Sequence, residues 1–258
     1  MRVFTWNLFV GPPCGSASLE KQLDYLAEQD ADILCLQEVY AEGTLRRILE
    51  MFPSHKAHYR RRLWPLSLWL CTFLLFLPPP LPLVPLLMLF LWACVGRSAT
   101  FQFLLGGVGG TVLLSKYTIL RKGWGYLPRR GIDYFHQRAF LWAEVVGDTP
   151  MCLLGVHFSL DTEILEESLR RVMEGRGTVL LLGDTNAGRE KMAPLERKWN
   201  LKWLETGPTW VRRNPMTKGF FSLPDHVSDV ILVRGLEGEA RTSEVYISDH
   251  LPVFGEIT

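Results

Sequence analysis

Between Arg62 and Arg97 the chain carries no charged side chain. That run, LWPLSLWLCTFLLFLPPPLPLVPLLMLFLWACV from Leu63 to Val95, constrains the fold more than any other feature. A soluble domain seldom buries so long a charge-free stretch as a core helix, whereas a bilayer accepts it. Pro78, Pro79, Pro80, Pro82 and Pro85 divide it into two arms, because each lacks an N–H and fixes φ. An arm of roughly 15 residues spans about 22 Å as a helix, against a hydrocarbon core of about 30 Å. The chain must also return, since strand-like segments on both sides read as one domain. A hairpin that enters and leaves the same leaflet fits both conditions better than two stretched spans. Arg60, Arg61, Arg62 and Arg97 can pair with lipid phosphates, and Trp64, Trp69 and Trp92 suit the interface. The positive flank favours a cytosolic side for the attached domain.

The rest of the 258-residue chain has an ordinary soluble composition, with a net charge of +1. There is no global basic excess to drive nucleic-acid binding. Five scattered cysteines (Cys14, Cys35, Cys71, Cys94, Cys152) show no zinc or redox spacing and read as reduced thiols. MRVFTWN reads at once as a strand, with no apolar leader before it. Residues 1–62 and 96–258 are therefore expected to form one catalytic domain interrupted by a membrane-inserting hairpin, 63–95.

Apolar runs predict strands at Val3–Asn7, Ile33–Leu36, Thr111–Leu114, Ala139–Val146, Met151–His157, Val179–Gly183, Val230–Val233 and Val253–Ile257. Several are too continuous for a one-faced sheet and need cover on both faces. Helical spacing predicts helices from a Ser18 cap to Ala27, over Thr44–Phe52 and over Glu163–Glu174. The fold class is α/β: two packed mixed sheets flanked by helices, a four-layer sandwich carrying the hydrophobic insert.

Five short strings lie at ends of these strands: TWN (Asn7), LQEV (Glu38), GVHF (His157), GDTN (Asp184, Asn186) and SDH (Asp249, His250). Any one recurs by chance, and each residue has a plain reading as a turn former, strand end or core histidine. Taken together and in order, they resemble the endonuclease/exonuclease/phosphatase family. Its members include DNase I-like nucleases, inositol-polyphosphate phosphatases, tyrosyl-DNA phosphodiesterases and neutral sphingomyelinases. GTVLLSKYTIL and QRAFLWAEV also look like that family's central strands, so the resemblance covers most of the chain except the insert.

The resemblance implies a Mg²⁺-dependent phosphoester hydrolase, with Mn²⁺ able to substitute. Mg²⁺ takes hard oxygen ligands and keeps several waters, so Glu38, Asn7 and Asp249 are the metal candidates. Such a metal polarises a phosphoryl oxygen in a metal-assisted attack by water. In related enzymes the residue matching Asp184 orients or deprotonates the attacking water, and the one matching Asn186 donates to a phosphate oxygen. By the same resemblance His250 would be the donor or proton carrier at that phosphate, and the carboxylate that holds this histidine in the family matches Asp229 of HVSDVILV, where the family often has an aromatic after the Asp and this chain has Val230. His157 matches a histidine of DNase I-like and sphingomyelinase-like members that serves the leaving group or the phosphate. The abasic-site nuclease branch lacks it.

The fold does not choose a substrate. A domain that docks itself on lipid most economically acts on lipid, and LQEVY, a helix and FPSHKAHYR resemble neutral sphingomyelinases. The expected reaction is cleavage of a phospholipid head group, sphingomyelin in the leading version. Trp124, Tyr126, Tyr134 and Trp210 are candidate faces for a quaternary ammonium. Alternatives are a nuclease or tyrosyl-DNA phosphodiesterase-like enzyme, favoured by GDTNAGRE, or a phosphoinositide phosphatase. For these, Arg129, Arg130, Arg138, Arg212, Arg213 and Lys218 could read phosphates. A membrane-bound interaction protein with a decayed site is disfavoured by the intact set of residues.

Overall fold

Alternation of inward and outward apolar side chains organises the chain into two sheets. The structure is a computed structural model that describes residues 1–8, 16–39, 41–60, 110–126, 139–147, 149–158, 169–170, 172–217 and 224–258. The strands are β1 (Arg2–Asn7), β2 (Ile33–Val39), β3 (Lys56–Tyr59), β4 (Gly110–Ser115), β5 (Thr118–Tyr126) and β6 (Ala139–Val146). They continue with β7 (Pro150–His157), β8 (Val179–Asp184), β9 (Lys202–Trp203), β10 (Asp229–Arg234), β11 (Gly238–Thr242) and β12 (Val253–Ile257). The first sheet runs β11-β12-β1-β2-β4-β3 and the second β5-β6-β7-β8-β10-β9.

Val3, Ile33, Leu113, Leu141, Leu153, Leu180 and Ile231 face inward and form the core between the sheets. Their neighbours Phe4, Leu34, Leu114, Leu154, Leu181 and Leu232 point outward into two further cores. This period-2 pattern requires cover on both outer faces. Helices α1 (Ser16–Ala27) and α2 (Glu42–Met51) supply it for the first sheet through Leu23, Leu26, Leu45 and Ile48. Helix α3 (Arg189–Trp199) supplies it for the second through Met192 and Leu195. Each such side chain contributes about 1.5–3 kcal/mol when fully buried. The result is the four-layer α/β sandwich expected from sequence.

Several elements differ from their expected bounds. Helix α1 starts at Ser16, so Ser18 lies inside its first turn and is not its cap. Helix α2 starts at Glu42, after an Ala41 N-cap with no side-chain hydrogen bond. Strands β3, β9 and β11 and helix α3 were not anticipated, and β5, whose start falls in the GTVLLSKYTIL segment read as central, lies at a sheet edge. Of the Glu163–Glu174 helix, residues 169–170 and 172–173 are helical. Segment 63–95 lies outside the described residues, among which no helix is long and apolar enough to cross a membrane. Cys35 and Cys152 are free and buried, and burial pushes their thiols up to about 12 and about 11.

Among the described residues each sheet contains one parallel pair, β1 with β2 and β7 with β8. The carboxyl ends of all four strands carry polar residues: Asn7, Gln37 and Glu38, His157, and Asp184.

Candidate active site

Strand register alone aligns much of the site. In the second sheet His157 pairs with Asp184 across β7–β8, and Asp184 pairs with Asp229 across β8–β10. In the first, Asn7 pairs with Gln37. The β2–β4 register shifts between Leu36 and Val39, a bulge that re-aims Glu38. Glu38 has φ 60, a left-handed conformation uncommon for a non-glycine residue and a source of local strain. Its side chain keeps 14% exposure.

Asp184 is the hub. Asn7 Nδ2 donates to its Oδ2 at 2.9 Å, and the Asn186 backbone N–H donates to Oδ1 at 2.8 Å. Asn186 Nδ2 donates to Oδ2 at 3.2 Å and to the Phe158 carbonyl at 3.0 Å. Asn186 sits at φ 48, which an Asn tolerates better than most residues. His157 Nε2 lies 3.6 Å from Asp184 Oδ2 and 3.8 Å from Glu38 Oε1, linking the two sheets' carboxylates. Gly183, just before the hub, has φ +138, and a Cβ there would lie 2.0 Å from the Val156 carbonyl oxygen. Only glycine brings β8 this close to β7.

His250 completes the group from the loop before β12. Its Nδ1 is 2.6 Å from Asp229 Oδ2, and Asp229 is fully enclosed. Ser228 Oγ lies 3.2 Å from both Asp229 Oδ2 and His250 Nδ1. Thr209 Oγ1 accepts the backbone N–H groups of Ser228 and Asp229, each at 3.0 Å. Burial disfavours a charged His250, but Asp229, Asp249 and Asp184 together outweigh it and hold the imidazole well above its ordinary range. Burial likewise pushes the Asp249 carboxyl up, against the pull of His250 and a bond from Ser248.

Two contacts lock this loop to the first sheet and a third ties it to the segment after β9. Trp6 Nε1 donates to the His250 carbonyl at 2.9 Å, and Ser248 Oγ donates to the Asn7 carbonyl at 2.7 Å. Asn214 Nδ2 donates to the Ser248 carbonyl at 2.7 Å. None of Trp6, Thr209, Asn214, Ser228 and Ser248 was anticipated as part of the site. Serines flanking the two Asp residues of VSDV and ISDH are the one sequence signal that could have marked them.

Four carboxylates (Glu38, Asp184, Asp229, Asp249), two amides and two imidazoles thus occupy the facing strand ends. This oxygen-rich donor set fits a hard divalent cation. Ligand atoms of Asp184, Asp229 and His250 all lie within 4.8 Å of one another. Asp229 is the weakest ligand of these, being enclosed and already bonded to the imidazole. Glu38, whose side chain keeps 14% exposure, faces this group through His157, and Asn7 joins it by donating Nδ2 to Asp184.

The structure therefore gathers Asn7, Glu38, His157, Asp184, Asn186, Asp229, Asp249 and His250 at one end of the sandwich. Tyr134 and Arg138 lie outside the described residues, as do Arg129, Arg130 and Lys218. Trp210 is buried under the site, stacked on His226 at 5.2 Å and bridged to the His250 backbone. Trp124 lies on β5 with the Arg60 guanidinium 3.4 Å over its ring. Arg212 and Arg213 are exposed, and Arg213 pairs with Glu244.

Comparison with solved structures gives the same architecture. D. rerio TDP2 complexed with single-strand DNA product superposes with a TM-score of 0.68 at 14% identity, covering 100% of this chain and 98% of that one. Beta toxin from Staphylococcus aureus gives 0.66 at 13%, covering 99% of each chain. An endonuclease/exonuclease/phosphatase from Bacteroides vulgatus gives 0.68 at 14%, covering 100% and 98%. A comparison with curated proteins finds no match. The sequence model of the Endonuclease/Exonuclease/phosphatase family matches residues 4–250, from within β1 to His250 itself, and the chain belongs to that family.

Proposed function

We propose that this protein is a membrane-associated, Mg²⁺-dependent phosphodiesterase that hydrolyses a phospholipid head group. Its family consists generally of metal-dependent phosphoric ester hydrolases. The observation that carries the chemistry is the alignment of His157, Asp184 and Asp229 on one register line opposite Glu38, with His250 bonded to Asp229. The charge-free segment 63–95 supports lipid as both anchor and substrate.

Asn7, Glu38 and Asp249 would hold the metal. When bound, a divalent cation supplies positive charge that polarises a phosphoryl oxygen. Asp184, fixed by donors from Asn7 and Asn186, orients the attacking water and accepts its proton. The His250 imidazole is oriented through Nδ1 by Asp229, which leaves Nε2 to donate toward the phosphate. His157, between Glu38 and Asp184, serves the phosphate or the leaving oxygen. Asn186 Nδ2 is already bonded to Asp184 and Phe158, so a phosphate oxygen would compete with these acceptors.

A nucleic-acid substrate is the second reading. GDTNAGRE resembles the corresponding string of tyrosyl-DNA phosphodiesterases, and the TDP2 neighbour was solved with a single-strand DNA product. The test is a side-by-side incubation of the purified full chain and Mg²⁺ with sphingomyelin vesicles, phosphoinositides and single- or double-stranded DNA. The lipid reading expects phosphocholine release. Release of nucleotides or inorganic phosphate, without phosphocholine, overturns it.

A further inference from the structure

The β3–β4 connection opens at the active-site end of the first sheet. Strand β3 ends at Tyr59, paired with Val112, and β4 begins at Gly110, paired with Val39 beside Glu38. The chain therefore leaves the fold after β3, about 10 Å and two strand spacings from β2, and re-enters at Gly110 on β4, the strand next to β2. The facing edge of the second sheet has the same polarity. Strand β5 ends at Tyr126 opposite Ala139, and the next residue, Phe140, pairs with Val156 beside His157.

The two edges are joined there. His58 Nε2 is 2.7 Å from the Gly123 carbonyl oxygen, and the Arg60 guanidinium lies 3.4 Å over Trp124. Trp124 is 45% exposed. An indole carrying a guanidinium matches the amphipathic headgroup layer, where Trp accumulates and Arg meets lipid phosphate. Arg61 and Arg62 follow in sequence and Arg97 closes the charge-free run, so charge complementarity with phosphates extends along the same chain. At the opposite end of the sandwich, Lys116 is instead neutralised by Asp30 and Asp32.

We infer that a phospholipid bilayer docks against the active-site end of the β3/β5 edge, with Arg60 and Trp124 at headgroup level, so that the cleft faces the leaflet. The inference rests on the proposal that segment 63–95 enters lipid. One leaflet's headgroup layer is about 5–8 Å thick, comparable with the offset of about 10 Å between β3 and β2. Glu38 then sits near the lipid phosphates, and a lipid reaches the cleft without leaving the membrane.

The test uses the full chain with Cys14, Cys71 and Cys94 replaced by Ser; Cys35 and Cys152 are buried. An environment-sensitive fluorophore is placed by Trp124→Cys, or by Lys122→Cys on the same strand. The control is Val146→Cys at the far end of β6, where Val146 pairs with Thr118 and is 41% exposed. Phosphatidylcholine vesicles carrying headgroup nitroxides should quench the labels at 122 and 124 several-fold more than the label at 146. Equal quenching, stronger quenching at 146 or none at any position overturns the docking face. Phosphocholine release from sphingomyelin added to the same vesicles is read separately. Site-selective quenching without lipid hydrolysis retains the docking face and removes the proposed substrate, and hydrolysis without that pattern does the reverse.

Discussion

Asp229→Asn isolates the role of the buried His250 partner with almost no change in shape. The Asp229–His250 contact is 2.6 Å long, and Asp229 is fully enclosed. Either orientation of the amide is costly. With its carbonyl toward Nδ1, the amide buries an NH₂ where Asp229 Oδ1 now lies without a hydrogen-bond partner among the described residues. With its NH₂ toward Nδ1, it forces the imidazole proton onto Nε2 and removes the anion that favours the charged ring. A hydrogen bond to a charged group is worth about 1.5–3 kcal/mol, and about 1.4 kcal/mol is tenfold in rate. The expected fall in kcat is therefore about 10- to 100-fold, bounded above by the whole acid–base contribution of about 10²–10⁴. The assay is kcat with Mg²⁺ on a chromogenic phosphodiester, alongside circular dichroism to show that the variant is folded. A folded Asp229→Asn protein with kcat within about twofold of wild type, less than about 0.5 kcal/mol, would refute the reasoning.

Three further outcomes follow from the same geometry. Gly183→Ala meets Val156 backbone and adopts φ +138, so its conformational cost alone is about 1–3 kcal/mol; an unchanged urea midpoint would count against the close β7–β8 approach. The raised His250 pKa of the metal-free protein contributes stability that is complete below the unfolded value of about 6.5 and is lost as pH rises through the folded one. Urea unfolding of the metal-free chain should therefore weaken over that range, and less so in Asp229→Asn; a flat wild-type profile contradicts the assignment. Deletion of Leu63–Val95 should move the protein from the membrane fraction to the soluble one, and its persistence on membranes would exclude that segment as the anchor.

The strands that apolar runs predict are the eight interior strands of the two sheets, and the four outside those runs, β3, β5, β9 and β11, are the four sheet edges. The cause is physical. An interior strand pairs on both sides and here packs on both faces, so its sequence is a continuous apolar run, as in LLLGD of β8. An edge strand such as β11, with no buried position, follows the polarity of solvent. Helix α3 was hidden by Pro194 inside it and by a largely polar face. The site was legible because its carboxylates, amides and imidazoles interrupt apolar runs at the strand ends. The bulge at Glu38 and the bonds from Thr209, Asn214 and Ser248 were not, since they depend on register and on contacts between distant segments.

Phosphocholine release from sphingomyelin vesicles, compared with Mg²⁺ and with EDTA for wild type, Glu38→Ala and His250→Ala, tests the central claim most directly. The account predicts release by wild type only, and only with Mg²⁺, while both variants remain vesicle-bound. Release that survives EDTA, or that survives in both variants, would contradict it.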